Sequence, residues 1–365
     1  MRPESEADLA EAVRLARGPL TVRGGGTRAL GPGAGAVLET GGLAGITLYE
    51  PGALTLVARA GTPLAAVEAA LADEGQRLAF EPPDLRGLLG REGASTIGGV
   101  VAANASGPRR VQVGACRDAL IGVRFVDGSG VVVKNGGRVM KNVTGYDLVK
   151  LLAGSHGTLG VLTEVAFKVL PVPETGATVV IEGLDAGAAV AAMARALGSP
   201  YEVTGAAHWP GQGTLLRVEG FAGQVRHRAG RLAALLGGTV VAEDAAALAA
   251  RWAAVRDAAA LGDGPGDVWR LAVKPSDAPG LVARAGAEAA MLDWGGGLVW
   301  LRLAPGTDLR ARLGAFGGHA TLVRGAPDTI ARLGTFHPEP AAVAALAAGL
   351  RARFDPRGLF RAGAA

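Results

Sequence analysis

The stretch Ser95–Gly107, STIGGVVAANASG, contains no charge, no aromatic ring and no side chain larger than isoleucine. Two readings compete for it. One is a buried Ala/Gly helix in a chain already rich in both residues. The other is that the backbone itself is the functional surface, with something large lying against it. Composition favours the first, and the rest of the chain favours the second.

A length of 365 residues is too much for one ordinary core and suggests two domains. A hydrophobic content of 49% against 19% charged residues describes a folded protein. The 58 glycines follow no three-residue period, which excludes collagen. A formal charge of +4, scattered arginines and only 4% aromatics speak against binding nucleic acid. Cys116 is the single cysteine, so this chain alone holds neither a disulfide nor a Cys-based metal or iron–sulfur site. The N-terminus, MRPESEADLAEAVRLARG, carries acids early and lacks an apolar segment, unlike a signal peptide. No run of about 18 apolar residues suggests a transmembrane segment. The expected location is the cytoplasm.

Residues 5–16 predict a helix behind a Ser-x-x-Asp capping box. PLTVRGGG predicts a short strand running into a glycine loop. LTLVARAGTPLAAVEAALADEG predicts a strand, a turn at Gly61-Thr62-Pro63 and a helix stopped by Gly75. DALIGVRFVDGSGVVVKNGG is a hairpin pattern. Beyond Pro173, strands alternate with Ala-rich helices, predicting an α/β or α+β second domain. PAAVAALAAGLRARFDPRGLF closes the chain with an amphipathic helix.

LTVRGGGTRA satisfies G-x-G-x-x-A through Gly24, Gly26 and Ala29, but helix breakers follow where a dinucleotide site needs a helix. That reading fails, and no P-loop pattern exists. What survives is a nest of backbone N–H groups over Arg23–Arg28 that can bind an anion. Gly98 and Gly99 would let a second backbone approach phosphate oxygens, with small residues at 102, 103 and 105 leaving room for a flat ring. Gly154, Gly157 and Gly160 form a third surface. Three separated surfaces suit an extended dinucleotide.

The ordered set RGGGT, EPPD, STIGG, SGPRR, GACRDALIG, VMKNVTGYDLVKL, GSHGTLGVLTEV and FDPRGLF resembles the FAD-binding domain of the vanillyl-alcohol oxidase (PCMH) type. With VWRLAVKPSDAP, LDWGGGLVWL and GGHATLVRG, the resemblance narrows to the FAD-binding E-subunit family of bacterial glycolate oxidase and covers nearly the whole chain. It implies an α+β protein. Residues 1–172 would form a two-part PCMH-type FAD-binding domain, 173–335 an inserted α/β cap, and 336–365 a C-terminal helix and tail returning to the FAD domain. It also implies pyrophosphate contacts from Arg23, Gly24, Gly25, Gly26 and Thr27, with Thr96, Ile97, Gly98 and Gly99 opposite. Asn104 and Gly107 would lie near the flavin, and Gly160 with Val161 near flavin or adenine. The implied partners are a larger FAD-binding subunit, an iron–sulfur subunit and a small 2-hydroxy acid such as glycolate.

Covalent attachment in this superfamily uses a histidine in the first glycine loop or a later cysteine. Thr27 occupies that loop and Cys116 reads as a buried residue, so noncovalent FAD is expected. The cap lacks the H-G-D-G-N-x-H motif of direct hydroxy-acid oxidisers. His156, His208, His227, His319 and His337 stand singly, with no metal-ligand spacing, and read as structural or solvated except His319. His319 and Arg270, an arginine on a strand able to clamp a carboxylate, are the catalytic candidates. Lys141-Asn142 with Tyr146-Asp147 reads as a capping network, and Arg109-Arg110 as a solvated pair or as phosphate or partner contacts. Arg361 stands where relatives have an asparagine near the flavin. Three functions follow: the FAD-binding subunit of a glycolate-oxidising complex, slow or inert alone; a self-sufficient FAD-dependent 2-hydroxy-acid dehydrogenase; or a non-catalytic FAD-binding structural subunit.

Overall fold

A computed structural model describes residues 1–28, 33–137 and 145–360. Ala29, Lys141, Asn142 and Arg361, named above, lie outside the described residues.

The chain begins with the helix Glu6–Leu15, whose capping box is formed: Asp8 N–H donates to Ser5 Oγ, and Ser5 N–H to Asp8 Oδ2. Such a cap is worth about 1 kcal/mol. Its buried Leu9, Ala10 and Val13 pack with Leu20, Leu38 and the C-terminal Leu359 and Phe360. The strand Leu20–Arg23 pairs in parallel with Ala36–Glu39, and Leu20 also bridges Phe360. The tail therefore returns to the first strand.

A five-stranded antiparallel sheet follows, built from Ile46–Glu50, Thr55–Arg59, Val161–Lys168, Leu120–Val126 and Val132–Gly136 in spatial order. The last two are the expected hairpin. The central strand, Val161–Lys168, is buried on both faces at most positions. Helices Leu64–Ala72 and Ile97–Ala102 share a core with this sheet through Val67, Leu71, Ile97, Val100, Phe125 and Phe167.

Residues 175–324 supply an eight-stranded sheet in which every pairing is antiparallel. Its strands and helices alternate along the chain without forming parallel crossovers, so this part is α+β rather than doubly wound. One face, with Trp269, Leu271, Leu301, Ala320 and Leu322, packs on helices Ala186–Leu197, Ala222–Leu236 and Ala278–Ala285. On the other face Val268, Met291 and Trp300 meet Leu88 from the first half of the chain.

The two halves are also joined by buried charge. Arg77 and Arg109 from the first half pair with Glu219 from the second, and Arg217 pairs with Glu81 at 2.9 Å and Glu219 at 3.3 Å. Burial opposes ionisation of Glu219, but Arg217, Arg109 and Arg77 hold its pKa at about 2. Arg109 is thus neither solvated nor free to reach a phosphate. The C-terminal helix Ala341–Phe354 buries none of its residues, and Val343, Leu346 and Leu350 are exposed.

Candidate functional site

The three glycine loops converge. Arg23–Arg28, the start of the Ile97–Ala102 helix and Ser155–Gly160 line one cleft of about 750 Å³, counting its open mouth. Thr40, Ala60, Ala102 and Ala103 complete its walls.

Thr96 caps the short helix by accepting from Gly99 N–H at 3.3 Å. Arg28 is buried and fastens the first loop to the second through Ser95 Oγ and the Pro83 carbonyl. Gly154 N–H and His156 N–H donate to the carbonyls of Val101 and Ala102 at 3.0 and 2.9 Å, docking the third loop on the helix end.

The glycines divide into two kinds. A Cβ on Gly25 would stand 1.6 Å from the Ala94 carbonyl oxygen, one on Gly24 2.3 Å from Thr96 Oγ1, and one on Gly98 2.7 Å from Ala60 Cβ. A Cβ on Gly160 would meet the Phe125 ring at 2.7 Å. These four are small because protein fills the space. Gly26 and Gly157, with φ of +69° and +73°, and Gly99 meet no protein atom closer than 3.2 Å, and all three line the cleft. There the missing side chain leaves room for a ligand. Among the described residues, the N–H groups of Gly24, Gly25, Gly26 and Thr27 donate to no protein acceptor. Four unpartnered donors in one loop form the nest that a pyrophosphate requires.

Other expected residues are committed to the protein's own packing and pairing. Ile97 and Val161 are fully buried in the core and do not line the cleft. Gly98 lines the cleft, but its N–H is spent on the Ala60 carbonyl at 2.8 Å. Asn104 adopts φ +46° and its side chain accepts from Arg117 N–H, so it shapes the turn after the helix. Gly107 sits against Glu81 and Arg256, and its carbonyl accepts from Trp294 Nε1 at 3.0 Å. The Arg23 guanidinium pairs with Glu39. Asp147 caps the helix Leu148–Leu152, as the capping reading expected. Cys116 is fully buried, and burial pushes its thiol pKa up.

Beside the cleft lies a wider cavity lined by His156, His319, Thr321, Phe336, His337 and the helix residue Leu350, among others. Three histidines that stand singly in the sequence thus share one cavity. Register explains part of this: Arg270 faces Thr321 and Ala272 faces His319 across neighbouring strands, so Arg270 and His319 project from the same sheet face. His319 is exposed and does not border the glycine cleft. Arg270 is partly buried and makes no hydrogen bond or ion pair among the described residues. Its guanidinium stands 5.3 Å from the Trp294 ring centroid, and Arg110 stands 4.4 Å from the same centroid. Burial, then Arg110, draws the Arg270 pKa down to about 10, so it stays charged at neutral pH. Asp293 is the nearby acid, and burial raises its pKa to about 7.

The sequence reading of His156 as structural or solvated rests on its standing singly in GSHGTLG, and nothing in the sequence singles out Trp294 or Asp293. Among the described residues, no cluster of His, Cys, Asp or Glu could hold a metal.

A family model described as an FAD binding domain matches residues 1–136. Over 349 residues, 94% of this chain and 92% of the relative, the sequence is 36% identical to glycolate oxidase subunit GlcE of Escherichia coli (strain K12). It is 41% identical over 111 residues, 30% of this chain and 23% of the relative, to glycolate oxidase subunit GlcD of Bacillus subtilis (strain 168). Among solved structures, an alkyldihydroxyacetonephosphate synthase matches with a TM-score of 0.70 over 98% of this chain and 76% of that one, at 16% identity. That likeness concerns the fold alone. The fold is that of a PCMH-type FAD-binding oxidoreductase. Within that class, the chain belongs to the family of the glycolate oxidase subunit GlcE.

Proposed function

We propose that the chain is the FAD-binding subunit of a complex that oxidises glycolate, or a related 2-hydroxy acid, to the 2-oxo acid. Electrons would pass to a larger FAD-binding subunit and an iron–sulfur subunit, in the cytoplasm or at the membrane surface. Among the described residues no helix is long and apolar enough to cross a membrane. Residues 1–172 would hold the cofactor, 173–335 would cap it, and 336–365 would close back on it. The N–H groups of Gly24, Gly25, Gly26 and Thr27 bind the pyrophosphate. Gly99, Ala102 and Ala103 give the rings a flat wall. FAD, when bound, supplies the acceptor for the hydride of the substrate C–H bond. One cysteine cannot hold an iron–sulfur relay, so such a relay would sit on a partner subunit.

The observation that carries acid oxidation is Arg270. Its guanidinium stands over the Trp294 ring with its N–H groups uncommitted to any hydrogen bond or ion pair among the described residues, and so remains available to a ligand anion. A carboxylate held there in two-point fashion lies beside the sheet face carrying His319 and Thr321. This favours an acid-binding site within this chain over a purely structural subunit.

The test is anaerobic mixing of the flavin-loaded chain with glycolate and with D-lactate. Bleaching by one acid, lost in Arg270→Gln, is expected, with slow turnover until partner subunits are added. No bleaching by any 2-hydroxy acid would overturn oxidation in this chain. Rapid aerobic turnover without partners would make it a self-sufficient dehydrogenase instead.

A further inference from the structure

We propose that His156 is the proton acceptor of this site, taking the hydroxyl proton of the 2-hydroxy acid whose carboxylate Arg270 holds. The proposal rests on the acid-oxidising reading above and adds a proton acceptor to the Arg270 clamp. His156 lines both the glycine cleft and the histidine-bearing cavity. His319 and His337 border only the latter. A base between the two spaces can reach a hydroxyl whose carbon faces the cofactor.

The ring is held rather than free. His156 adopts φ +51°, a conformation that non-glycine residues rarely keep unless their surroundings impose it. Its N–H is fixed on the Ala102 carbonyl at 2.9 Å, and its ring packs on Phe336 with centroids 5.0 Å apart. Among the described residues its ring nitrogens make no hydrogen bond, which leaves them for a ligand.

The charged group facing it from the cap sheet is Arg270. The titratable neighbours bordering the shared cavity are His319, His337, Glu339 and Arg351. Burial, then Arg270, pushes the His156 pKa below its usual value, so the ring is neutral and able to accept a proton at pH 7. As the acid is oxidised, its O–H bond breaks toward the imidazole, and its C–H bond gives up hydrogen with both electrons to FAD as oxidant. The products are a 2-oxo acid, reduced cofactor and imidazolium.

The test compares wild type with His156→Asn, which tolerates the left-handed backbone, and with His156→Gln. Three quantities are read: FAD content, glyoxylate affinity from the shift in flavin absorbance, and the pH dependence of anaerobic reduction. Wild type should reduce faster as pH rises through the depressed imidazole pKa and then level off. Both variants should keep FAD and bind glyoxylate within about threefold, yet reduce at least about 100-fold more slowly, with that pH limb gone. A rate per bound flavin near wild type, or a retained pH limb, overturns the proposal. So does loss of FAD or glyoxylate binding at an unchanged rate per bound flavin, which marks a positioning contact. A wild-type chain that no 2-hydroxy acid bleaches overturns the underlying reading as well, and it shows this before any substitution is made.

Discussion

Thr27 places a hydroxyl where attachment through the first loop would need an imidazole, and Cys116 is fully buried with its thiol pKa raised by burial. Neither of these two positions therefore offers a nucleophile for a covalent bond, and acid precipitation should release all of the cofactor into the supernatant. Yellow colour retained on the denatured chain would contradict this. Asp293 makes a second residue-scale prediction. Its pKa is about 7 in the fold against 3.8 for an unperturbed aspartate, so it favours folding fully below the lower value. That contribution fades as pH rises toward 7, at a cost of about 4 kcal/mol at most. Asp293→Asn should therefore raise the melting temperature at pH 8 and leave it nearly unchanged at pH 4. An equal shift at both pH values would show that charge is not the cause. None of this was legible in LDWGGG, because a carboxylate's pKa depends on what the fold buries around it. The unpaired state of Arg270 was equally hidden, although its place on a strand was not.

At the scale of elements, the helix Ile97–Ala102 answers both readings of STIGGVVAANASG. It is a buried helix, and one side of it is also a cleft wall. Gly98 belongs to the first role, so Gly98→Val should destabilise by about 1–3 kcal/mol through overpacking on Ala60, measured by urea unfolding of the apo chain. Thr96→Ala should cost about 1 kcal/mol through the lost cap. An apo Gly98→Val chain as stable as wild type would mean Ala60 gives way. The capping box at Ser5, the 120–136 hairpin and the strand-to-loop break after Arg23 were all legible, because each depends on neighbours within a few residues. Which glycines face protein and which face the cleft was not legible, since that depends on segments brought together from well outside each glycine's own loop, as Gly98 meets Ala60, Gly160 meets Phe125 and Gly24 meets Thr96.

Across the whole molecule, the eight-stranded antiparallel sheet presents Arg270 and His319 on one face and a helix-covered core on the other. The Arg77–Arg109–Arg217–Glu81–Glu219 network ties the first half of the chain to the second. Glu219→Gln removes the acid shared by three buried or half-buried arginines and should cost about 3–5 kcal/mol, as breaking a buried ion pair does. A loss below about 0.5 kcal/mol would put the network among surface pairs of little value. Motif order along the chain made the architecture legible. The network was not, because Arg109 reads in sequence as one of two adjacent solvated arginines.

The claim on which the rest stands is that this backbone surface holds FAD, and Gly99 tests it most directly, because a Cβ there meets only Thr96 Oγ1, at 3.2 Å, and otherwise the open cleft. The decisive quantity is the FAD content of purified Gly99→Val beside the melting temperature of its apo form. The account predicts an apo chain that melts within a few degrees of wild-type apo protein and retains almost no FAD. A Gly99→Val chain carrying one FAD per polypeptide would contradict it.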